Sequence, residues 1–296
     1  MASDSRQHAL VRAMPAVFVL IWSTGFIVAR FGMPFSPPMT FLALRYILSV
    51  ACFAAWALLV RAAWPSGRRQ WAHLAVTGIL MHAGYLGGVW TAVKFGMGAG
   101  LAALLVSLQP VLTAIWVSSR GGRVGPRQWS GLVLGLVGLA LVVWHKLGLG
   151  EIHVANLLCA LIALVSITVG TLYQKRFVRP CDVRTANLVQ LAAAFVVTLP
   201  LALLETEAIR WNAQMLGAMG WSVLGLTLGG SSLLYLLIQR GAATAVTSLL
   251  YLVPPCTALM AWLLFAEPIT ALTLAGMALT AFGVSLVVRA PAAGRA

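Results

Sequence analysis

The stretch GLVLGLVGLALVV at residues 131–143 returns 145 residues later as GMALTAFGVSLVV at 276–288. Six of the thirteen positions are identical, including both members of a Gly-x6-Gly pair, Gly131 with Gly138 and Gly276 with Gly283. Just upstream, residues 99–114 match 243–258 at a shift of 144. There Leu105, Leu108, Pro110, Thr113 and Ala114 meet Leu249, Leu252, Pro254, Thr257 and Ala258. A duplicated hydrophobic unit of this length points to the internal repeats of membrane carriers.

Composition agrees. The 296 residues are 61% hydrophobic and only 9% charged, where soluble domains carry about a quarter charged residues. Apolar runs long enough to cross a bilayer recur along the whole chain. They lack the alternation of a membrane barrel, so helices are left to satisfy the backbone in lipid. The expected fold class is an all-α membrane protein with ten transmembrane helices arranged as two inverted five-helix repeats. The spans fall near 13–31, 38–60, 71–93, 97–118, 127–145, 153–175, 184–204, 213–238, 242–265 and 269–289. The repeats would divide the chain at 1–148 and 149–296. The apolar run after Arg12 lacks a small-x-small cleavage site and reads as a retained first helix.

A net charge of +14 in a soluble chain would suggest nucleic acid. Here it reads as a topology signal. With the N-terminus inside, fifteen Lys and Arg fall on the inner side and four (Arg30, Lys94, Lys146 and Arg210) on the outer side, while Arg45 lies within a span. Both termini are expected in the cytoplasm of a bacterial inner membrane. Five spans per unit then force the second unit to enter from the opposite face, which inverts it. At a shift of 145, Arg45 meets Gln190, Trp90 meets Tyr235 and Gly25 meets Gly170. Cys52, Cys159, Cys181 and Cys256 form no CxxC, so neither a disulfide framework nor a zinc site is suggested.

Ten spans in two inverted units, with WSTGF at 22–26, Arg45 in the second span, proline-centred fourth and ninth spans and Glu267-Pro268 after the ninth, resemble the EamA-type members of the drug/metabolite transporter superfamily. The narrower resemblance is to YddG-type exporters of aromatic and other neutral amino acids, through HAGY at 82–85. It implies alternating access, a small-molecule substrate, the lipid bilayer as surroundings and no cofactor. The chain departs from the family at 118–122, SSRGG, where a Gly-Glu often ends the fourth helix. That change bears on gating or topology.

The substrate-binding candidates are His82, Tyr85, Trp22, Ser107, Tyr251, Trp90, Tyr235 and Ser166. His82 and Tyr85, three apart, share a helix face. A mid-membrane histidine must face protein or water: it either binds a substrate carboxylate or a proton, or bonds another helix. Trp22, Trp90 and Tyr235 lie away from the span ends, unlike the expected interfacial anchors Trp56, Trp64, Trp71, Trp129, Trp144 and Trp211. Ser107 and Tyr251 correspond across the repeat. Gln109 lies about 200° around from Ser107, so at most one of the two is expected to face the cavity. Pro110, Pro254 and Pro255 are the hinge or gating candidates, since proline removes a backbone hydrogen bond. Arg45, the one intramembrane cation, either binds an anion or snorkels outward and braces the bundle, with the bracing role favoured. The Gly131–Gly138 face is expected to allow close helix contact.

No span holds a mid-membrane Asp or Glu, which disfavours the glutamate-based drug/proton exchange of the small multidrug-resistance relatives. No P-loop is present, so the chain alone is not ATP-driven. His8, His73, His82, His145 and His153 lie at different depths, which argues against a metal site and an embedded enzyme. Alternatives left open are an exporter of a sugar, a purine or a drug-like solute, or, less favoured, a membrane-embedded enzyme. No nucleic-acid partner is expected, and two fused repeats make a monomer sufficient. His82 and Tyr85 meet Thr227 and Gly230 across the repeat, which assigns most substrate recognition to the first half.

Overall fold

The computed structural model describes residues 2–121, 125–148, 151–230, 233 and 252–289. These residues form helices joined by short connections, and among them there are no strands. The helices are α1 (Ala2–Gly32), α2 (Pro38–Leu59), α3 (Arg68–Gly78), α4 (Tyr85–Lys94), α5 (Ala99–Val106), α6 (Gln109–Ser119), α7 (Pro126–Gly148), α8 (Val154–Phe177), α9 (Val183–Leu204), α10 (Ala213–Gly220), α11 (Val253–Phe265) and α12 (Ala271–Arg289). Among the described residues, six helical segments are long and apolar enough to cross a membrane: Pro38–Leu59, Arg68–Lys94, Ala99–Trp116, Pro126–Lys146, Val154–Phe177 and Val183–Leu204. Shorter apolar helices occupy Ala16–Gly32, Val253–Phe265 and Ala271–Leu286.

Two spans are not regular α-helix throughout. Between α3 and α4 the chain adopts π-helical geometry over Ile79–Gly84, and after α10 over Trp221–Gly230. Residues 79–84 correspond to 224–229 at the repeat shift of 145, so both stretches sit at matching places. A π turn leaves the regular bonding ladder and occurs often at functional sites.

The packing is paired in the same sense. α7 lies against α12, α2 against α9 and α5 against α11. At the first of these contacts a Cβ added to Gly138 would lie 2.5 Å from Gly276 O, and one added to Gly283 would lie 2.5 Å from Gly131 O. Gly131 and Gly276 are repeat mates, as are Gly138 and Gly283, so the contact is reciprocated as an isologous interface requires. Thr280 Oγ1 donates to Gly276 O at 2.9 Å within this seam. Glycines also draw α3 and α4 onto α8 and α9: a Cβ on Gly78 would fall 2.5 Å from Gln190 Cα, and one on Gly88 2.5 Å from Cys159 O.

Successive spans, α3 with α4 and α5 with α6 each counting as one, run in opposite directions, which gathers the connections at two ends. One end, the acidic rim, carries Glu151, Glu205, Glu207 and Glu267 with Arg30, Lys94, Lys146 and Arg210. It is tied together by Lys94–Glu207 (2.6 Å), Lys146–Glu151 (2.7 Å), Arg30–Glu267 (3.9 Å) and an Arg210 bond to Pro34 O. The other end, the basic rim, carries Arg61, Arg68, Arg69, Arg120, Arg127, Lys175, Arg176, Arg179 and Arg184. There Gln70 Nε2 donates to Arg179 O (2.8 Å), and Thr185 Oγ1 donates to Ala63 O (2.8 Å). Trp64, Trp71, Trp129, Trp144 and Trp211 are exposed, as membrane-interface anchors would be.

Candidate functional site

Arg45 does not reach for the outer surface. It is 7% exposed and runs inward from α2 to the second π-helical stretch. There Thr227 Oγ1 accepts from its Nε at 3.3 Å and its Nη2 at 3.1 Å. Thr227 passes its own proton to Ser222 O at 2.8 Å. The Arg45 guanidinium stands 6.0 Å from the centre of the Trp90 ring, and Tyr46 and Tyr85 are its electrostatic neighbours. Trp90 is itself fully buried and stacks on Phe41, with ring centres 4.4 Å apart.

On the other side, the first π-helical stretch carries His82. Its ring lies 6.1 Å from that of Tyr46, whose hydroxyl donates to His82 O at 2.9 Å. The side chain of Gln190, from α9, reaches His82. Arg45 and Gln190 are repeat mates, and so are Thr227 and His82. The centre of the bundle therefore holds two matched polar pairs, Arg45 with Thr227 and Gln190 with His82, each joining a helix to a π-helical stretch. The pairing follows the 145-residue register, and neither Thr227 nor Gln190 is among the eight substrate-binding candidates named from the sequence.

The other candidates fall in three groups. Tyr85 is buried beside the Arg45 cluster, and Ser166 lies against the first π-helical stretch, its Oγ 2.6 Å from where a Gly84 Cβ would be. Trp22 is half-buried against Phe18 (ring centres 5.4 Å) and Ser107 Oγ donates to Leu104 O (2.6 Å); no described hydrogen bond or ring contact joins either to the cluster. Gln109 is committed to Thr171 Oγ1 at 2.9 Å. Tyr235 and Tyr251 lie outside the described residues. A groove near the acidic rim runs between α1 and α10, where Trp221 Nε1 donates to Thr24 Oγ1 at 2.8 Å.

The prolines lie in the first turns of helices. The fourth span parts into α5 and α6 at Ser107 and Leu108, and Pro110 is the second residue of α6. Pro254 and Pro255 occupy the first turn of α11. Proline suits a first turn, where its missing N–H would be unpaired in any case. Among the described residues no cluster of His, Cys, Asp and Glu has the make-up of a metal site.

The profile of the EamA-like transporter family matches residues 13–144 and again 155–289. The chain belongs to this family. Its EamA-like relatives include the uncharacterized transporter YvbV of Bacillus subtilis, 26% identical over 92% of this chain and 89% of that one. A probable amino-acid metabolite efflux pump of Salmonella typhimurium is 25% identical over 90% of each chain. The uncharacterized inner membrane transporter YedA of Escherichia coli is 25% identical over 95% of this chain and 92% of its own. A solved crystal structure shares the fold with a TM-score of 0.65, at 19% identity over 94% of this chain and 96% of that one. An EamA-like chain of this kind carries small metabolites across a membrane.

Proposed function

We propose that this EamA-like protein exports neutral amino acids, aromatic ones included, across the bacterial inner membrane by alternating access. The observation that carries the reading is the central cluster. Trp90, Tyr85 and Tyr46 offer rings to an apolar side chain, while Arg45, Thr227, His82, Gln190 and Ser166 offer polar groups to a zwitterion. The name of the Salmonella relative, a probable amino-acid metabolite efflux pump, points the same way. Pocket roles go to His82, Tyr85, Trp22, Ser107, Tyr251, Trp90, Tyr235 and Ser166, and hinge roles to Pro110, Pro254 and Pro255. Counterflow in proteoliposomes tests it: labelled phenylalanine and threonine should exchange above empty vesicles, and exchange of neither would overturn the substrate assignment.

The working unit in this reading is one chain of two inverted five-helix repeats, 1–148 and 149–296. Support comes from the duplicated sequence, the reciprocal glycine seam and the matching π-helical stretches. The excess of Lys and Arg supports a cytoplasmic basic rim and cytoplasmic termini. With the four native cysteines replaced, Thr206→Cys on the acidic rim should react with an impermeant maleimide in intact cells. Ser66→Cys on the basic rim should react only after permeabilisation, and the reverse pattern would refute this orientation.

A further inference from the structure

We propose that Arg45 is the anion anchor of the transport site: its guanidinium selects substrates that carry a carboxylate, bound between Arg45, Thr227 and the Trp90 ring. The inference rests on the exporter reading above and sharpens it, because it names the substrate group that must be present and the residue that requires it.

The argument starts from the charge ledger of the chain. There are six acidic residues, Asp4, Glu151, Asp182, Glu205, Glu207 and Glu267, and none belongs to the central third of any span. Four tie the acidic rim, and Asp182 pairs with Arg184 at the basic rim. Asp4 lies in the first turn of α1. Arg45 is therefore a 93%-buried cation, by its 7% exposure, in a chain that offers it no carboxylate at that depth. An ionised group in this setting is costly unless paired, and such groups in membrane spans mark substrate and ion paths.

Among the described residues, the bonds Arg45 makes are few for what it can make. Guanidinium has five N–H donors in a planar fork. Here two of its nitrogens converge on one hydroxyl, at 3.3 and 3.1 Å, longer than the usual charge-assisted range of about 2.7–2.9 Å. A carboxylate presents two oxygens to the same fork and fits it bidentately. Thr227 is suited to step aside or to share, since its proton is already directed at Ser222 O (2.8 Å). That bond exists because Thr227 belongs to a π-helical stretch, which brings the carbonyl five residues back within reach of the hydroxyl. The repeat supplies an internal comparison. Gln190 occupies the matching place on α9 and is neutral, so only one side of the pseudo-symmetric centre carries charge. A zwitterion is thereby oriented: carboxylate toward Arg45, the remainder toward His82, Gln190 and the Tyr85 ring.

Bracing is the competing role for Arg45. It predicts loss of folding on substitution but no preference between a carboxylate and its amide. The test therefore leads with the unmodified protein. In proteoliposomes, and by thermal shift of the solubilised full-length chain, phenylalanine, phenylpyruvate, phenylalaninamide and phenethylamine are compared as competitors and stabilisers. Phenylalanine is expected to surpass its amide and its amine by about tenfold or more in apparent affinity, as loss of one charge-assisted contact implies. Arg45→Gln, where it remains folded, should lose most of that ratio, and Arg45→Lys should keep part of it. Equal competition by the amide, exchange of a carboxylate-free solute, or a panel in which no carboxylate binds or exchanges would each overturn the anchor. If phenylpyruvate exchanges while phenylalanine does not, the anchor stands and the amino-acid assignment fails.

Discussion

Gly138→Leu is expected to leave little folded transporter in the membrane. A Cβ at this position falls 2.5 Å from Gly276 O, 2.5 Å from Thr280 Oγ1 and 2.7 Å from Thr280 N. Two of these three atoms are backbone, so no rotamer change relieves the clash and the helices themselves must part. α7 and α12 are equally close at the other end of the seam, where a Cβ on Gly283 would fall 2.5 Å from Gly131 O and from Gly135 N. Overpacking a well-packed core costs about 1–3 kcal/mol, and here one substitution loosens a contact that recurs a turn or two away. Small residues let membrane helices approach closely enough for dispersion to replace a hydrophobic force that lipid does not supply. Gly217→Ala is the control: nothing lies within 4 Å of a Cβ there, and alanine favours the helix by about 1 kcal/mol over glycine. Yield of monodisperse protein and its thermal midpoint decide the matter. A Gly138→Leu protein with the yield and midpoint of the unaltered chain would show that the seam does not hold the bundle.

This seam was legible in the sequence, because a Gly-x6-Gly pair conserved across an internal duplication has few uses other than close approach. Six of the spans were legible because lipid is a demanding solvent: an apolar run of bilayer length has one solution. The positions of Pro110 and Pro254 in the first turns of helices follow from the bond proline cannot make. The π-helical stretches were not legible. Where Ile79, Leu80, Met81, Ala83 and Gly84 are all compatible with lipid, no polar periodicity reports the local turn. Arg45 shows a different limit. Snorkelling was the favoured reading because a long cation near a span end can reach water. The choice between outward and inward depends on what faces it, and Thr227 is 182 residues away in the chain. Reading the repeat as pairs of pairs, 45 with 227 and 190 with 82, would have narrowed that choice.

Replacing Glu205 and Glu267 together by alanine is expected to open the acidic rim. Each carboxylate caps a helix to which it does not belong. Glu205, just past α9, accepts from Met39 N (2.9 Å), Thr40 N (2.7 Å) and Thr40 Oγ1 (2.7 Å) at the start of α2. Glu267, just past α11, accepts from Ala99 N (3.1 Å) at the start of α5 and lies 3.9 Å from Arg30 Nε. Neither α2 nor α5 has a side-chain cap of its own, so the unpaired N–H groups and partial positive charge of each N-terminus are met from across the bundle. The basic rim is built differently. α9, the repeat mate of α2, is capped in place by Asp182, which accepts from Arg184 N at 2.9 Å. The Arg184 side chain holds the Asp182 carboxyl below the usual carboxylate range, with the bond to Arg184 N acting in the same direction. At the repeat positions of the two glutamates stand Val60 and Gly122. Opening at the basic rim leaves the α9 cap intact, while opening at the acidic rim strips α2 and α5 of theirs. Among the described residues, these cross-bundle caps are expected to favour closure at the acidic rim, the outer one in the topology proposed above. Hydrogen bonds to charged groups are worth about 1.5–3 kcal/mol each, so losing both caps should shift the open population by roughly tenfold or more. Ser107→Cys, at the α5–α6 break, reports it. In the double variant its reaction with a small impermeant thiol reagent added on the acidic-rim side should accelerate by about that factor. If the rate does not change, the two glutamates cap helices without governing which rim opens.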